Sequence, residues 1–126
     1  MADGAVDVTV DATPDAVWAK VGDFAGVGDF FPGIESFRLE GDDRVIGMFG
    51  IEIRERLLAR DEATRTITYS VVEGVPIESH TATISVEADG DGSKVTWAYS
   101  VTPDEMAPLF GDTYKSALAA VEAAFS

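Results

Sequence analysis

Cysteine is absent from this 126-residue sequence, which excludes disulfides and thiolate metal sites. Histidine occurs once, at His80, too few for a multi-histidine zinc site. No loop carries carboxylates at calcium-binding spacing, so neither a metal nor a cofactor is expected. Basic residues are scarce: 9 Lys and Arg stand against 23 Asp and Glu, for a formal net charge of -14. Such a surface repels phosphate backbones and anionic headgroups, which disfavours nucleic-acid and membrane-surface partners. The charge reads as solubility, or adaptation to a salty interior, before recognition of a cationic partner. No apolar run approaches the length of a membrane span. Met1 to Val10 lacks a basic segment followed by an apolar one, so no secretion signal is expected and the reading is a soluble, cytoplasmic protein.

What is present is alternation. From Ile51 to Val101 the chain reads as four consecutive strands with one wet and one buried face. Ile51, Ile53, Glu55, Leu57 and Ala59 share one face of the first, against Glu52, Arg54, Arg56 and Arg60, which read as a solvated face. Ile67, Tyr69 and Val71 follow in the second, then His80, Ala82, Ile84 and Val86, then Val95, Trp97, Tyr99 and Val101. Turns are expected at Asp61–Thr64, at Gly74-Val75 and at Gly90-Asp91-Gly92.

The flanks complete one domain, which hydrophobic content of 46% can fill with a core. Val6, Val8 and Val10 mark a first strand. Thr13, Pro14 and Asp15 carry the cap, first-turn proline and early acid of a helix that ends near Gly22. A second short helix or turn follows through Phe24, Phe30 and Phe31. Two short strands precede Gly50. After Val101, Thr102-Pro103-Asp104-Glu105 has the spacing of a capping box. Beyond it, Met106, Phe110, Tyr114, Ala117, Val121 and Ala124 recur at helical steps, with Gly111 as a place where the helix could bend. The order predicts an α+β domain over residues 1–126: two short helices after the first strand, then a curved antiparallel sheet of about six to seven strands closed by the last helix.

Thr13-Pro14-Asp15-Ala16-Val17-Trp18, Val21-Gly22-Asp23-Phe24, Phe31-Pro32, Glu55-Arg56-Leu57, Tyr69, Pro76 and Val95-Thr96-Trp97 before Thr102-Pro103 stand in the order and spacing of a known group. The chain resembles the helix-grip superfamily, also called START-like or SRPBCC, and within it the polyketide cyclase/dehydrase group. It departs from the pattern in having Phe31 where tryptophan is common before the proline, His80 where an aromatic residue is common, and a short final helix. The resemblance implies a cavity between the last helix and the sheet that holds a hydrophobic molecule. It does not fix a chemistry, because the superfamily mixes carriers, receptors and cyclases.

Glu55, Tyr69, His80 and Tyr99 are the polar residues on the face that needs only apolar ones. A two-residue loop at Gly74-Val75 would set Tyr69 directly across from His80. Tyr99 would fall opposite Ala82 or Ile84, and Glu55 opposite Tyr69 or Val71, so the four could converge. Such a group could do acid–base work: His80 as proton shuttle, Tyr69 and Tyr99 as oxyanion donors or orienters, Glu55 as the partner of His80 or a second acid–base group. Each also fits a structural role, as a satisfied core histidine, a buried tyrosine with a paired hydroxyl, or a carboxylate paired with Arg44 or Arg65. The candidate ligand-contacting set is Glu55, Tyr69, His80, Trp97, Tyr99, Phe110 and Tyr114. Three functions remain open: binding of a small lipid-like or polyketide-like molecule, a cofactor-independent cyclase/dehydratase, and a module that binds a protein partner.

Overall fold

The computed structural model describes residues 2–125. Strand β1 (Ala2–Val10) is followed by helix α1 (Pro14–Val21) and a 3-10 turn at Val27–Asp29, the second short helical segment. Six strands come next: β2 (Ser36–Glu40), β3 (Asp43–Met48), β4 (Ile51–Asp61), β5 (Thr66–Glu73), β6 (Ser79–Asp89) and β7 (Gly92–Thr102). A 3-10 turn at Asp104–Met106 leads into the long helix α2 (Ala107–Ala124). The strands form one antiparallel sheet in the order β1-β7-β6-β5-β4-β3-β2, so the first strand closes one edge and the second closes the other.

Local chemistry explains the first helix. The Thr13 hydroxyl accepts from the Ala16 N–H at 3.3 Å, Pro14 occupies the first turn, and Gly22 ends the helix. Val17, Trp18 and Val21 are its buried face, which packs on β6 and β7. The capping box expected before α2 does not form. The Thr102 side chain caps nothing; the 3-10 turn intervenes, and α2 begins after Met106 with Pro108 in its first turn. Two prolines close together shift the helix start, because Pro108 has no N–H and suits only that first turn.

Alternation holds along β5, β6 and β7, where Ile67, Tyr69, Val71, His80, Ala82, Ile84, Val86, Val95, Trp97 and Val101 are buried. It fails in β4. The pairing shifts between Leu57 and Ala59, so Leu58 is an extra residue left half exposed, and the strand's faces exchange beyond it. Arg60 therefore lies on the other face from Arg54 and Arg56 while staying solvent-exposed: its Nε donates to the Gly22 carbonyl at 2.7 Å and its guanidinium lies 4.8 Å from the Trp18 ring. Arg54 and Arg56 stay on the convex side, where with Arg38 they bridge Glu40, Asp43 and Glu52 and cover Val45 of β3. Arg56 first, and Arg54 after it, hold the Asp43 carboxyl below the usual carboxylate range.

Helix α2 buries Phe110, Tyr114, Ala117, Leu118 and Val121. It runs without interruption past Gly111, where a bend was expected. Gly111 has another use. A Cβ there would sit 2.5 Å from the Tyr99 hydroxyl, and a Cβ at Gly4, paired with Tyr99 across β1 and β7, would sit 2.3 Å from it. Two missing side chains thus make the slot in which Tyr99 is wedged between β1 and α2. Gly111→Ala is expected to lower stability by about 1–2 kcal/mol, overpacking outweighing the helix-propensity gain. In a Tyr99→Phe background the same substitution should cost less or stabilise. Urea denaturation of the four proteins in this double-mutant cycle measures the coupling; additive effects would mean that Tyr99 does not set the cost.

Candidate functional site: an apolar cavity under the long helix

The concave face is wider than α2 can fill. The C-terminal half of the helix packs closely, through Ala117, Leu118 and Val121. Its N-terminal half stands over β3, β4 and β5, where a cavity of about 430 Å3 remains. Met48, Ile53 and Val71 line it from the sheet, and Met106, Phe110 and Tyr114 from the helix side. Phe49 and Ile51 from the β3–β4 turn, Val75 and Pro76 from the β5–β6 loop, and Leu109 of α2 form its rim.

Behind this cavity lies a connected group of polar side chains. Between β5 and β6 the strand pairing reaches Tyr69 opposite Ala82 and goes no further. The loop after Glu73 occupies residues 74–78 rather than two residues, so Tyr69 does not face His80 as the shorter turn would have required. Pro76 within that loop lacks the N–H that a continued ladder would need. His80 makes up the missing rung with its side chain. Nδ1 accepts the Val71 N–H at 3.0 Å, while the Ser70 hydroxyl donates to the His80 carbonyl.

That bond assigns the tautomer. With Nδ1 an acceptor, the neutral ring carries its proton on Nε2, which donates to the Tyr114 hydroxyl at 2.8 Å. Tyr114 stacks on Trp97 with ring centroids 4.4 Å apart, and the Tyr69 hydroxyl accepts from Trp97 Nε1 at 3.2 Å. Burial pushes the His80 pKa down to about 4, so the ring is neutral at pH 7. Burial, with Glu55 second, pushes the Tyr69 hydroxyl well above its ordinary range; burial likewise raises Tyr114.

Glu55 falls opposite Val71, and a shift beside it leaves Val72 as an extra, exposed residue on β5. Of the two candidate arginines, Arg44 pairs with it: Nε donates to Glu55 Oε1 at 2.7 Å, and both residues are buried. Arg44 also donates to the Phe24 carbonyl at 2.9 Å and lies over the Phe24 ring at 4.1 Å. Arg65 instead binds Asp15.

The expected residues therefore divide. Glu55, Phe110 and Tyr114 line the cavity. Tyr69, His80 and Trp97 form the buried layer behind Tyr114 and have no place in the lining. Tyr99, opposite Ala82, touches the edge of Tyr114 at 5.6 Å but points into its slot between β1 and α2. Alternation had already placed Ile51 and Ile53 on this face. Val75, Pro76 and Leu109 were not foreseen, and their one signal is apolar character where a loop or a helix flank needs none. Among the described residues no group of His, Asp or Glu side chains is arranged to hold a metal ion.

A curved seven-stranded antiparallel sheet gripping a long C-terminal helix over an apolar cavity defines a helix-grip, ligand-binding class of fold. The family described as polyketide cyclase/dehydrase and lipid transport matches residues 1–126, and the chain belongs to it. The fold is similar to that of the protein XoxI from Bacillus cereus, at 32% identity and a TM-score of 0.92, covering 99% of this chain and 96% of that one. It is also similar to an uncharacterised protein from Bacillus thuringiensis, at 26% identity and a TM-score of 0.89 with 98% of each chain covered. Major latex-like protein 151 from Panax ginseng shares the fold at 19% identity, with a TM-score of 0.81 over 99% of this chain and 97% of its own. No curated protein matches the sequence.

Two measurements probe the buried polar groups. His80 has a depressed pKa, so the unfolded chain takes up a proton from about pH 6.5 downward while the folded ring refuses it until about pH 4. Stability should therefore fall with acidification across that window, by on the order of 3 kcal/mol in total. His80→Asn should flatten the slope between about pH 6.5 and 4.5, before the carboxylates contribute; an unchanged slope would refute the assignment. For the Arg44–Glu55 pair, Arg44→Met should cost about 3–5 kcal/mol by stranding a buried carboxylate. Arg44→Met with Glu55→Leu should recover most of that loss in chemical denaturation.

Proposed function

We propose that the protein binds a small apolar or amphipathic molecule, lipid-like or polyketide-like, in the cavity between the sheet and α2. The observation that carries this reading is the cavity: about 430 Å3, walled by aliphatic and aromatic side chains with a few polar groups on one side. Such a volume and lining are usual for small-molecule sites. The mouth supports the same reading. Phe49 is 72% exposed and sits at φ 57 in the two-residue turn it forms with Gly50. A bulky residue there costs about 1–2 kcal/mol against glycine or asparagine. Backbone strain that places an apolar ring at a cavity entrance is more readily understood as function than as stability.

A cyclase/dehydratase is the second reading, favoured by the hydrogen bond from His80 to a cavity-lining tyrosine. It requires a proton to pass through the Tyr114 hydroxyl, because His80 does not face the cavity and both its ring nitrogens are engaged. A partner-binding module would be expected to have an occluded cavity, which this one is not.

Native mass spectrometry of the purified protein, compared with the same sample after denaturation and organic extraction, tests the leading reading. A small molecule retained in the first spectrum and released in the second is the expected result. Ile53→Trp, which fills the cavity from the sheet, should abolish retention while leaving the circular dichroism spectrum intact. Equal retention by that variant would place the molecule elsewhere.

A further inference from the structure

Resting on that cavity reading, the polar atoms around the cavity can be sorted by whether they are already used. The Thr113 hydroxyl donates to the Leu109 carbonyl within α2 at 2.7 Å. The Tyr114 hydroxyl is engaged by His80 at 2.8 Å. Glu55 is different. Its Oε1 takes Arg44, whereas Oε2 has no hydrogen-bond partner among the described residues, and no fully enclosed side-chain oxygen lacks one. Oε2 is thus not fully enclosed, on a buried residue that lines the cavity. We propose that Glu55 Oε2 is the acceptor for a neutral hydroxyl group, so that the cavity selects apolar alcohols and phenols.

Charge decides the class. Arg44 and Glu55 neutralise one another inside the wall, and none of the described residues lining the cavity is Lys, Arg or His. An anionic head group would meet an acceptor with no cation to balance it. A cationic one would make a second positive charge against a carboxylate already paired. Both would be desolvated without compensation, which costs more than a hydrogen bond returns. A neutral O–H leaves the pair balanced and donates to an ionised acceptor, the stronger kind of hydrogen bond. The apolar walls then take the remainder of the molecule.

Four probes of one shape separate these cases: naphthol, methoxynaphthalene, naphthoate and naphthylmethylammonium. Each is titrated into the unaltered protein at pH 7 by calorimetry, at about 0.5 M salt so that the acidic surface is screened. Naphthol should bind at least about tenfold more tightly than each of the other three. A smaller preference overturns head-group selection by Glu55 while leaving the cavity as a binding site. Failure of all four to bind, with no retained molecule in the native mass spectrum, removes the cavity reading and this inference together. In the neutral pair Arg44→Gln with Glu55→Gln, the advantage of naphthol over methoxynaphthalene should fall below about threefold. Persistence of the full advantage in Arg44→Met with Glu55→Leu, which leaves no acceptor at residue 55, would assign the acceptor to another atom.

Discussion

Tyr114 sets the spacing between helix and sheet, and the cavity depends on it. Its ring stacks nearly parallel on Trp97, and its hydroxyl receives the His80 proton at 2.8 Å. A face-to-face contact combined with a directional bond holds both the height and the rotation of α2. Beyond it, small and aliphatic residues let the helix settle onto the sheet; before it, Phe110 keeps the helix raised. One tyrosine thus divides a packed core from an open cavity.

The polar groups near the cavity serve first to make that arrangement stable. His80 replaces a backbone acceptor where the β5–β6 ladder stops, Trp97 donates to the Tyr69 hydroxyl, and Arg44 satisfies one oxygen of Glu55. Buried polar groups without partners would be costly in a low-dielectric interior, and this network is almost complete. The incomplete part is Glu55 Oε2, the group that meets the cavity. The structural role of the cluster is carried by His80, Trp97, Tyr114 and Arg44, and the proposed ligand contact by Glu55. His80 reaches the cavity only through Tyr114, whereas Glu55 and Tyr114 line it themselves.

Charge is distributed to match. The convex side of β2, β3 and β4 uses its arginines to bind neighbouring acids, which shields Val45 without adding another layer. Long arginine stems cover apolar surface while their heads stay hydrated, so the outer face of the sheet needs no helix. The concave side keeps the buried Arg44–Glu55 pair inside the wall. The exposed apolar residues at the cavity rim stand out against this acidic, well-solvated exterior.

Periodicity was sufficient for the elements. Alternation of two identified β5 to β7 and their inward residues, helical steps identified α2, and Thr13-Pro14 with Gly22 bounded α1, because each depends on residues within one segment. The candidate site was legible in part for the same reason: Glu55, Tyr69, His80 and Trp97 could be assigned to the inner face before any contact was known. Their relation to one another could not. A five-residue loop instead of two set Tyr69 opposite Ala82 rather than His80, with the two rings still 6.0 Å apart, and one extra residue at Leu58 moved Arg60 to the other face. Which of several arginines meets Glu55, which tyrosine meets His80, and whether Tyr99 enters the cavity all depend on how α2 crosses the sheet. That crossing follows from packing among residues far apart in the chain, including two glycines that yield space to one hydroxyl. Periodicity within a segment marks the inward faces of β5 to β7; the partners, and the faces of β4 beyond Leu58, follow from register and helix height, which no single segment encodes.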